Sequence, residues 1–307
     1  MKKLYKTFSW IIGALLFISF FHILGLESVF SAFDALPLHV IFIWLLLTLL
    51  SRFISAEILY QPVKRLNGNM SRSDAFWLLW AKSFSNQIIP FSGLSIMLGF
   101  LRNQSSLSWE KISSLAWPQL FLAMQAVGLI GAYCSLTLIF ENHSNHLSIF
   151  VILAAFVFLS ITPLIIHLLI KKKRIKKHTN NETLKRLSLA LNFLSDHKSI
   201  TLYLLTGHVM SALIRVARLL LIFYFLGGSS DFTFLLLMAM IGEVAVLLNL
   251  TPGGLGIREG AIAIAAQVYG IDLDVALKAA LLDRALILLT TFVFGGTSLF
   301  LFFKKTA

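Results

Sequence analysis

The sequence predicts an all-α integral membrane protein: a polytopic helical bundle built as an inverted-topology repeat with two re-entrant hairpins. Three observations carry this prediction: an apolar composition, a series of apolar runs long enough to cross a bilayer, and a one-sided distribution of Lys and Arg. Of the 307 residues, 58% are hydrophobic and only 13% charged, a balance that a soluble fold has too little interior to accommodate. A bilayer-crossing helix needs roughly 20 mostly apolar residues. Such runs recur along nearly the whole chain, so a single membrane domain over residues 1–307 is expected, with no separate globular domain.

The first run, Thr7–Leu26, follows Met1-Lys2-Lys3 as a signal peptide would. It lacks a small-residue cleavage site and is long enough to span, so it reads as the first helix. Further runs occupy Leu38–Ala56, Ala75–Leu101, Ser114–Phe140, Leu147–Ile170, Ile200–Leu226, Phe232–Tyr269 and Val275–Phe303. The single cysteine, Cys134, lies inside one of them, which excludes an intramolecular disulfide and suits a buried packing thiol.

Plain alternation of all eight runs would leave the loop Lys171–Ser199, with nine Lys/Arg, outside the cell, against the positive-inside rule. The conflict disappears if Ala75–Leu101 enters and leaves on the cytoplasmic side. Its middle, Asn86-Gln-Ile-Ile-Pro90-Phe-Ser-Gly93, is a poor continuous helix. Phe232–Tyr269 reads the same way, broken at Thr251-Pro252-Gly253-Gly254-Leu255-Gly256, although two crossings with a cytoplasmic break would fit the charges equally. Six crossings and two hairpins then put both termini inside, in the inner (cytoplasmic) membrane. Twenty of the 26 Lys/Arg fall in cytoplasmic segments and none in the four external loops, so the net charge of +12 reflects cytoplasmic loops on anionic lipid, not nucleic-acid binding. The stretch Lys171–Lys177, six basic residues in seven, either rests on inner-leaflet headgroups or is a solvated topology anchor.

The two breaks resemble each other. Each half, about 1–140 and about 147–303, reads span, span, hairpin, span, with opposite starting sides. Inverted repeats of this kind recur in secondary transporters, with substrate sites at broken helices near the midplane.

Six basic residues remain inside apolar runs, Lys82, Arg215, Arg218, Arg258, Lys278 and Arg284, against three acids, Glu243, Glu259 and Asp283. Charges at membrane depth cost at least ~2.5–3.5 kcal/mol each and face partners or water, so a cationic excess implies an anionic guest. His208, Ser211, Arg215 and Arg218 share one helix face, and two guanidiniums one turn apart suit a phosphate. The alternative is that they pair with Glu243 and Asp283 to hold helices together. Lys278 lies near the external end and can snorkel. Arg258 and Glu259 open the half-helix after the glycines, where an anion or a capping carboxylate would be stabilised; Lys82 and Asn86 form a weaker echo in the first hairpin. A carboxylate in a dry cavity can exchange a proton as the cavity opens, and of Glu243 and Glu259 the former is the better carrier on position, unless it is permanently paired with Arg215 or Arg218.

Asn249-Leu-Thr-Pro252-Gly253-Gly254-Leu255-Gly256-Ile257-Arg258-Glu259-Gly260, followed by Asp283-Arg284 and preceded by Asn86-x-x-x-Pro90-x-x-Gly93, resembles the lysylphosphatidylglycerol synthase transmembrane-region family. The resemblance covers essentially the whole chain and implies a lipid-translocating fold with two re-entrant elements. It implies functional importance for Pro252, Gly253, Gly254, Gly256, Glu259 and Arg284, and an apolar residue where this chain has Arg258. No synthase domain follows Phe303, so lysine attachment to lipid is not expected. The candidate substrate-binding set is therefore Lys82, Asn86, His208, Arg215, Arg218, Glu243, Asn249, Arg258, Glu259, Asp283 and Arg284, with Pro90, Gly93, Pro252, Gly253, Gly254 and Gly256 as helix breaks.

Enzymatic motifs are absent: no G-x-x-x-x-G-K-[ST], H-E-x-x-H or G-x-S-x-G occurs. Asp272-Leu273-Asp274 mimics a sugar-nucleotide D-x-D but is better read with Asp274 capping the last helix. His143-Ser-Asn-His146 lacks an adjacent third metal ligand beyond Glu141. The expectation is a flippase or scramblase, without cofactor or metal, for an anionic (phospho)lipid or polyprenyl-phosphate-linked lipid, working by alternating access. The alternatives are a non-transporting membrane subunit whose partner is an enzyme of envelope lipid or polysaccharide assembly, and an intramembrane enzyme acting on polyprenyl phosphate.

Overall fold

The computed structural model describes residues 36–89, 92–141, 147–172, 191–228, 231–248 and 251–300, together with residues 27, 31, 33, 34 and 189. The first apolar run, Pro90, Asn249 and most of the basic loop Lys171–Ser199 lie outside these, as do His143 and His146. The described residues form helices and turns and no strand.

Helix α1 runs Leu38–Arg65, well past the apolar run that marks it, and ends where the chain turns left-handed at Asn67 and Gly68 donates back to the Val63 carbonyl. Reciprocal capping opens α2 (Arg72–Ile88): the Ser71 amide and hydroxyl donate to Asp74, and the Asp74 amide donates to the Ser71 hydroxyl. Helix α3 spans Ser92–Asn103, α4 Trp109–Phe140, α5 Leu147–Lys172, α6 Lys198–Phe225 and α7 Phe232–Leu248. A 3₁₀ turn at Pro252–Gly254 leads into α8, Ile257–Val268. Helix α9, Leu273–Thr290, passes into a π-helical turn at Thr291–Gly295. It is capped by Asp272, whose carboxylate accepts from the Val275 amide, and not by Asp274 as the sequence suggested. The helix begins one residue past the aspartate whose side chain reaches its third amide, so Asp274 falls inside the first turn. There it pairs with Lys278 at 2.6 Å.

Helices α1, α4, α5 (over Ile149–Ile166) and α6 are long and apolar enough to cross a membrane. The two broken runs share one build: α2 and α7 have 17 residues each, and α3 and α8 have 12 each. At 1.5 Å per residue these are roughly 26 and 18 Å long, short of the ~30 Å hydrocarbon thickness.

The chain divides into two compact units interleaved along the sequence: residues 53–75 with 98–212, and residues 1–52 with 76–97 and 213–307. In the former, Ile58, Leu122 and Leu204 form a buried cluster flanked by Ile54 and Leu194. Helices α4 and α5 approach closely because Gly128 and Gly131 have no side chain. A Cβ at Gly128 would lie 2.7 Å from the Ser160 amide nitrogen, and one at Gly131 would enter the Phe156 ring. Since backbone, not a flexible side-chain tip, opposes residue 128, Gly128→Ala is expected to lower stability by roughly 1–3 kcal/mol. Thermal denaturation in non-ionic detergent checks this; an unchanged midpoint would refute the close-packing account.

In the latter unit, α2 is gripped by the segment around the π turn. Trp80 stacks on Phe294 with centroids 5.0 Å apart, Phe84 meets Phe292 edge-on at 5.1 Å, and the Ser298 hydroxyl donates to the Trp77 carbonyl. Gly295 permits the contact, since a Cβ there would meet the Trp80 carbonyl oxygen at 2.8 Å and also press into Phe84. A π turn is uncommon and often sits at functional sites; this one follows Asp283 and Arg284 by two helical turns.

Candidate functional site

The unit of residues 1–52, 76–97 and 213–307 contains both hairpin breaks and nearly all of the buried charge. At the first break the Asn86 side-chain oxygen accepts from the Gly93 amide at 2.8 Å, and the Ser92 hydroxyl donates to the Ser85 carbonyl at 2.7 Å. These bonds serve backbone groups freed where the helix is interrupted. A Cβ at Gly93 would collide with the Lys82 carbonyl, so α3 folds back along α2 because residue 93 is glycine.

At the second break Gly253, Gly254 and Gly256 all adopt left-handed backbone, with φ of 57°, 78° and 77°. The Thr251 hydroxyl closes the turn by donating to the Leu255 carbonyl at 2.7 Å. Gly253 is doubly constrained, by its φ and by the Gln87 amide, which occupies the place a Cβ would take. Glu259 caps α8 by accepting from the Gly256 amide at 2.8 Å.

One side chain joins the two breaks. Arg284 donates through Nη1 to the Gly253 carbonyl (2.7 Å) and through Nη2 to the Gln87 side-chain oxygen (3.0 Å). A planar guanidinium with divergent donors suits such a bridge; an ammonium does not.

Next to Arg284 in sequence, Asp283 is fully buried and receives three partners. Arg218 Nε donates at 2.8 Å, Arg258 Nη2 lies at 3.0 Å, and the Trp44 indole N–H donates at 2.8 Å. Arg218 also donates to the Thr48 hydroxyl (3.1 Å) and sits over the Trp44 ring, 4.8 Å from its centroid. Arg215 pairs separately with Glu243 at 2.7 Å. Of the two alternatives the sequence left for Arg215 and Arg218, the ion pairs are therefore the arrangement present. The double pairing of Asp283 leaves one arginine charge over, and Arg258 Nη1 is buried without a partner among the described residues.

Two further cations lie in this unit. Arg52 stands over the Trp80 ring at 4.5 Å from the centroid. It was counted above with the cytoplasmic loop that follows the second run, but α1 continues for 13 residues beyond it, about 20 Å of helix, so it belongs to the helical interior. Lys82 lies two residues after Trp80 on α2. With Arg52 counted in, and Lys278 out because Asp274 holds it at the helix start, the interior excess of three positive charges is unchanged.

The remaining candidates fall elsewhere. His208 and Ser211 belong to the other unit, where the Ser211 hydroxyl lies 3.4 Å from that of Ser55. Asn249 and Pro90 are outside the described residues, and Pro252 is the first residue of the 3₁₀ turn. Sequence reasoning missed Trp44, Thr48, Arg52 and Gln87. The first three recur every fourth residue along α1, and a polar stripe with that spacing was a usable signal. Among the described residues no group of three or more His, Cys, Asp or Glu is placed to hold a metal ion.

Long apolar helices, two apolar segments each broken into a 17- and a 12-residue helix, and a buried ion network between the breaks and the last helix define a multi-pass helical membrane protein of the broken-helix kind. More particularly, residues 7–295 match the family described as the lysylphosphatidylglycerol synthase TM region, and the chain belongs to that family. The match covers the membrane region of those proteins and no catalytic domain. No curated protein and no solved structure matches the chain.

Proposed function

We propose that this protein moves an anionic lipid, a phospholipid or a polyprenyl-phosphate-linked lipid, across the cytoplasmic membrane, with both termini in the cytoplasm and without enzymatic chemistry. The observation that carries the reading is the tip-to-tip bridge of the two broken hairpins by Arg284 beside a buried network with excess positive charge. The equal 17- and 12-residue builds of the hairpins support an inverted repeat and re-entrant geometry. Broken helices near the midplane are where secondary transporters hold their substrates, and rocking of one repeat against the other gives alternating access.

The test is purified protein in liposomes carrying a fluorescent anionic lipid, with dithionite added outside. Protein-dependent quenching of the inner-leaflet probe is the expected result; no acceleration with any anionic lipid would instead favour a non-transporting subunit of an envelope-assembly enzyme. The same vesicles test coupling. Glu259 is committed to capping α8 through the Gly256 amide and Glu243 is paired with Arg215, and Glu243, the carrier its position favours, is the residue to test. Flux in wild type is expected to respond to an imposed pH gradient, and flux in Glu243→Gln is not. Wild-type flux indifferent to the gradient would mean passive scrambling.

A further inference from the structure

The two arginines that share Asp283 differ in how many of their nitrogens are in use. Arg218 uses all three. Its Nε and Nη2 donate to Asp283 at 2.8 and 3.5 Å, and its Nη1 donates to the Thr48 hydroxyl at 3.1 Å, with the guanidinium face over the Trp44 ring. Arg258 is 4% exposed and reaches the same carboxylate through Nη2 at 3.0 Å. Its Nη1 is buried and meets no acceptor among the described residues. Glu259, the next residue, does not serve it: among the described residues Arg258 pairs with Asp283 and not with Glu259, whose Oε2 caps α8 at the Gly256 amide.

The Arg258 guanidinium is nonetheless fixed. Its Nη2 is tied to α9 through Asp283, and its stem lies against α7, where a Cβ on Gly242 would come within 3.6 Å of the Arg258 Cγ. A planar group held through one nitrogen presents the other at a defined angle. Leaving a charged donor buried without an acceptor costs more than leaving a neutral one, and an oxygen in contact removes that cost. The charge count points the same way. Asp283 supplies one negative charge against two buried arginines, so one positive charge is left over inside the network, and charge left over at membrane depth calls for a partner. Arg215 is matched one to one by Glu243.

We propose that Arg258 Nη1 binds one anionic oxygen of the headgroup, with Asp283 as the positioning residue that aims the guanidinium, and that the headgroup carries a single negative charge, as a phosphodiester does. A phosphomonoester, at about −1.5 to −2 near pH 7, exceeds the one charge left over. The proposal rests on the reading of the protein as an anionic-lipid carrier for its lipid source; a free phosphate ion presents the same chemistry. In that cycle the headgroup is enclosed at the broken helices, and a buried donor in the first turn of α8, two residues past Gly256, stands beside one of the breaks.

The experiment measures thermal unfolding of the full chain in non-ionic detergent against increasing dioctanoyl phosphatidylglycerol, a singly charged phosphodiester. Dioctanoyl phosphatidylcholine, dioctanoyl phosphatidic acid and inorganic phosphate are the other probes. Wild type, Arg258→Gln and Arg258→Lys are compared, each against its own ligand-free midpoint. Phosphatidylglycerol is expected to raise the wild-type midpoint at lower concentration than phosphatidic acid, and phosphatidylcholine not to raise it. Arg258→Gln is expected to need about tenfold to a hundredfold more phosphatidylglycerol for the same shift, the loss of one charge-assisted hydrogen bond. Arg258→Lys keeps the charge opposite Asp283 but lacks the second fixed nitrogen, so the same loss is expected of it; it decides the matter if the Gln variant does not fold. A wild-type phosphatidylglycerol response in either folded variant, whatever its ligand-free midpoint, overturns the site and leaves Arg258 a structural cation. A wild-type midpoint raised no more by phosphatidylglycerol than by phosphatidylcholine overturns it too, and an Arg258-dependent preference for phosphatidic acid overturns the single-charge assignment. An equal, Arg258-dependent shift with inorganic phosphate keeps the site and assigns it to a free anion. Binding that depends on Arg258 in a protein that moves no lipid sinks the transport reading alone. Wild-type lipid movement together with a wild-type binding response in Arg258→Lys sinks the site alone.

Discussion

Replacing Asp283 by Asn is expected to be the most destabilising conservative change in this chain, costing roughly 3–5 kcal/mol. The carboxylate is fully buried and, among the described residues, is the only acid that pairs with both Arg218 and Arg258. An amide in its place can accept from one of them but cannot balance either charge, and two arginines are left facing each other in a medium of low dielectric. The Trp44 indole N–H would lose a charged acceptor as well. Thermal denaturation in detergent and the yield of folded protein after purification measure the effect. Arg258→Leu, which restores the apolar residue that the family resemblance implies at this position, is expected to recover part of the loss when combined with Asp283→Asn, because one of the stranded charges is gone. An Asp283→Asn protein within about 1 kcal/mol of wild type would mean that the network is wetter than its burial indicates and is not what holds α6, α8 and α9 together.

The second large effect is expected at Arg284, and it separates function from fold. Changing it to Gln removes the donors to Gly253 and Gln87, two charge-assisted hydrogen bonds worth about 1.5–3 kcal/mol each before relaxation. Among the described residues this removes the side chain that bonds to both breaks. Lipid movement in proteoliposomes is expected to fall at least tenfold, roughly the consequence of losing 1.4 kcal/mol from an ordered transport-competent state. Arg284→Lys is not expected to rescue it, since an ammonium lacks the planar fork that reaches two acceptors. Gln87→Ala, which leaves the Gly253 bond intact, should fall between wild type and Arg284→Gln, and Gly253→Ala should resemble Arg284→Gln because a Cβ there displaces the Gln87 amide. Full transport by both Arg284 variants would show that the bridge between the breaks is incidental.

These two predictions also divide the buried charges by role. Asp283 with Arg218 and Arg258, and Glu243 with Arg215, are ion-paired sets whose removal costs the fold, the first with one positive charge in excess. Arg284 joins the two breaks through polar, uncharged partners. Arg52 stands over the Trp80 ring and pairs with no acid among the described residues.

How much of this was legible beforehand follows from the range over which each interaction acts. Apolar runs, their lengths, and the interruptions at Asn86–Gly93 and Thr251–Gly256 are local properties. The sequence by itself therefore determined a polytopic helical membrane protein with two broken segments, and the dozen residues from Asn249 to Gly260 pointed to the family. The identities of the interior acids were legible for the same reason, since an ionisable residue inside an apolar run is conspicuous. Their pairing was not. Trp44 and Asp283 are 239 positions apart and Arg284 and Gln87 are 197 apart; helical periodicity assigns a residue to a face but is silent on which face of which helix lies opposite. Arg52 shows the limit most clearly. Its place at the end of an apolar run read as a loop charge, and only the continuation of α1 to Arg65, with Trp80 of α2 beneath the guanidinium, made it an interior cation. Tertiary structure decided which charges cancel and which are left over, because electrostatic energy depends on distances through space, and those are set by how the helices pack and not by their order in the chain.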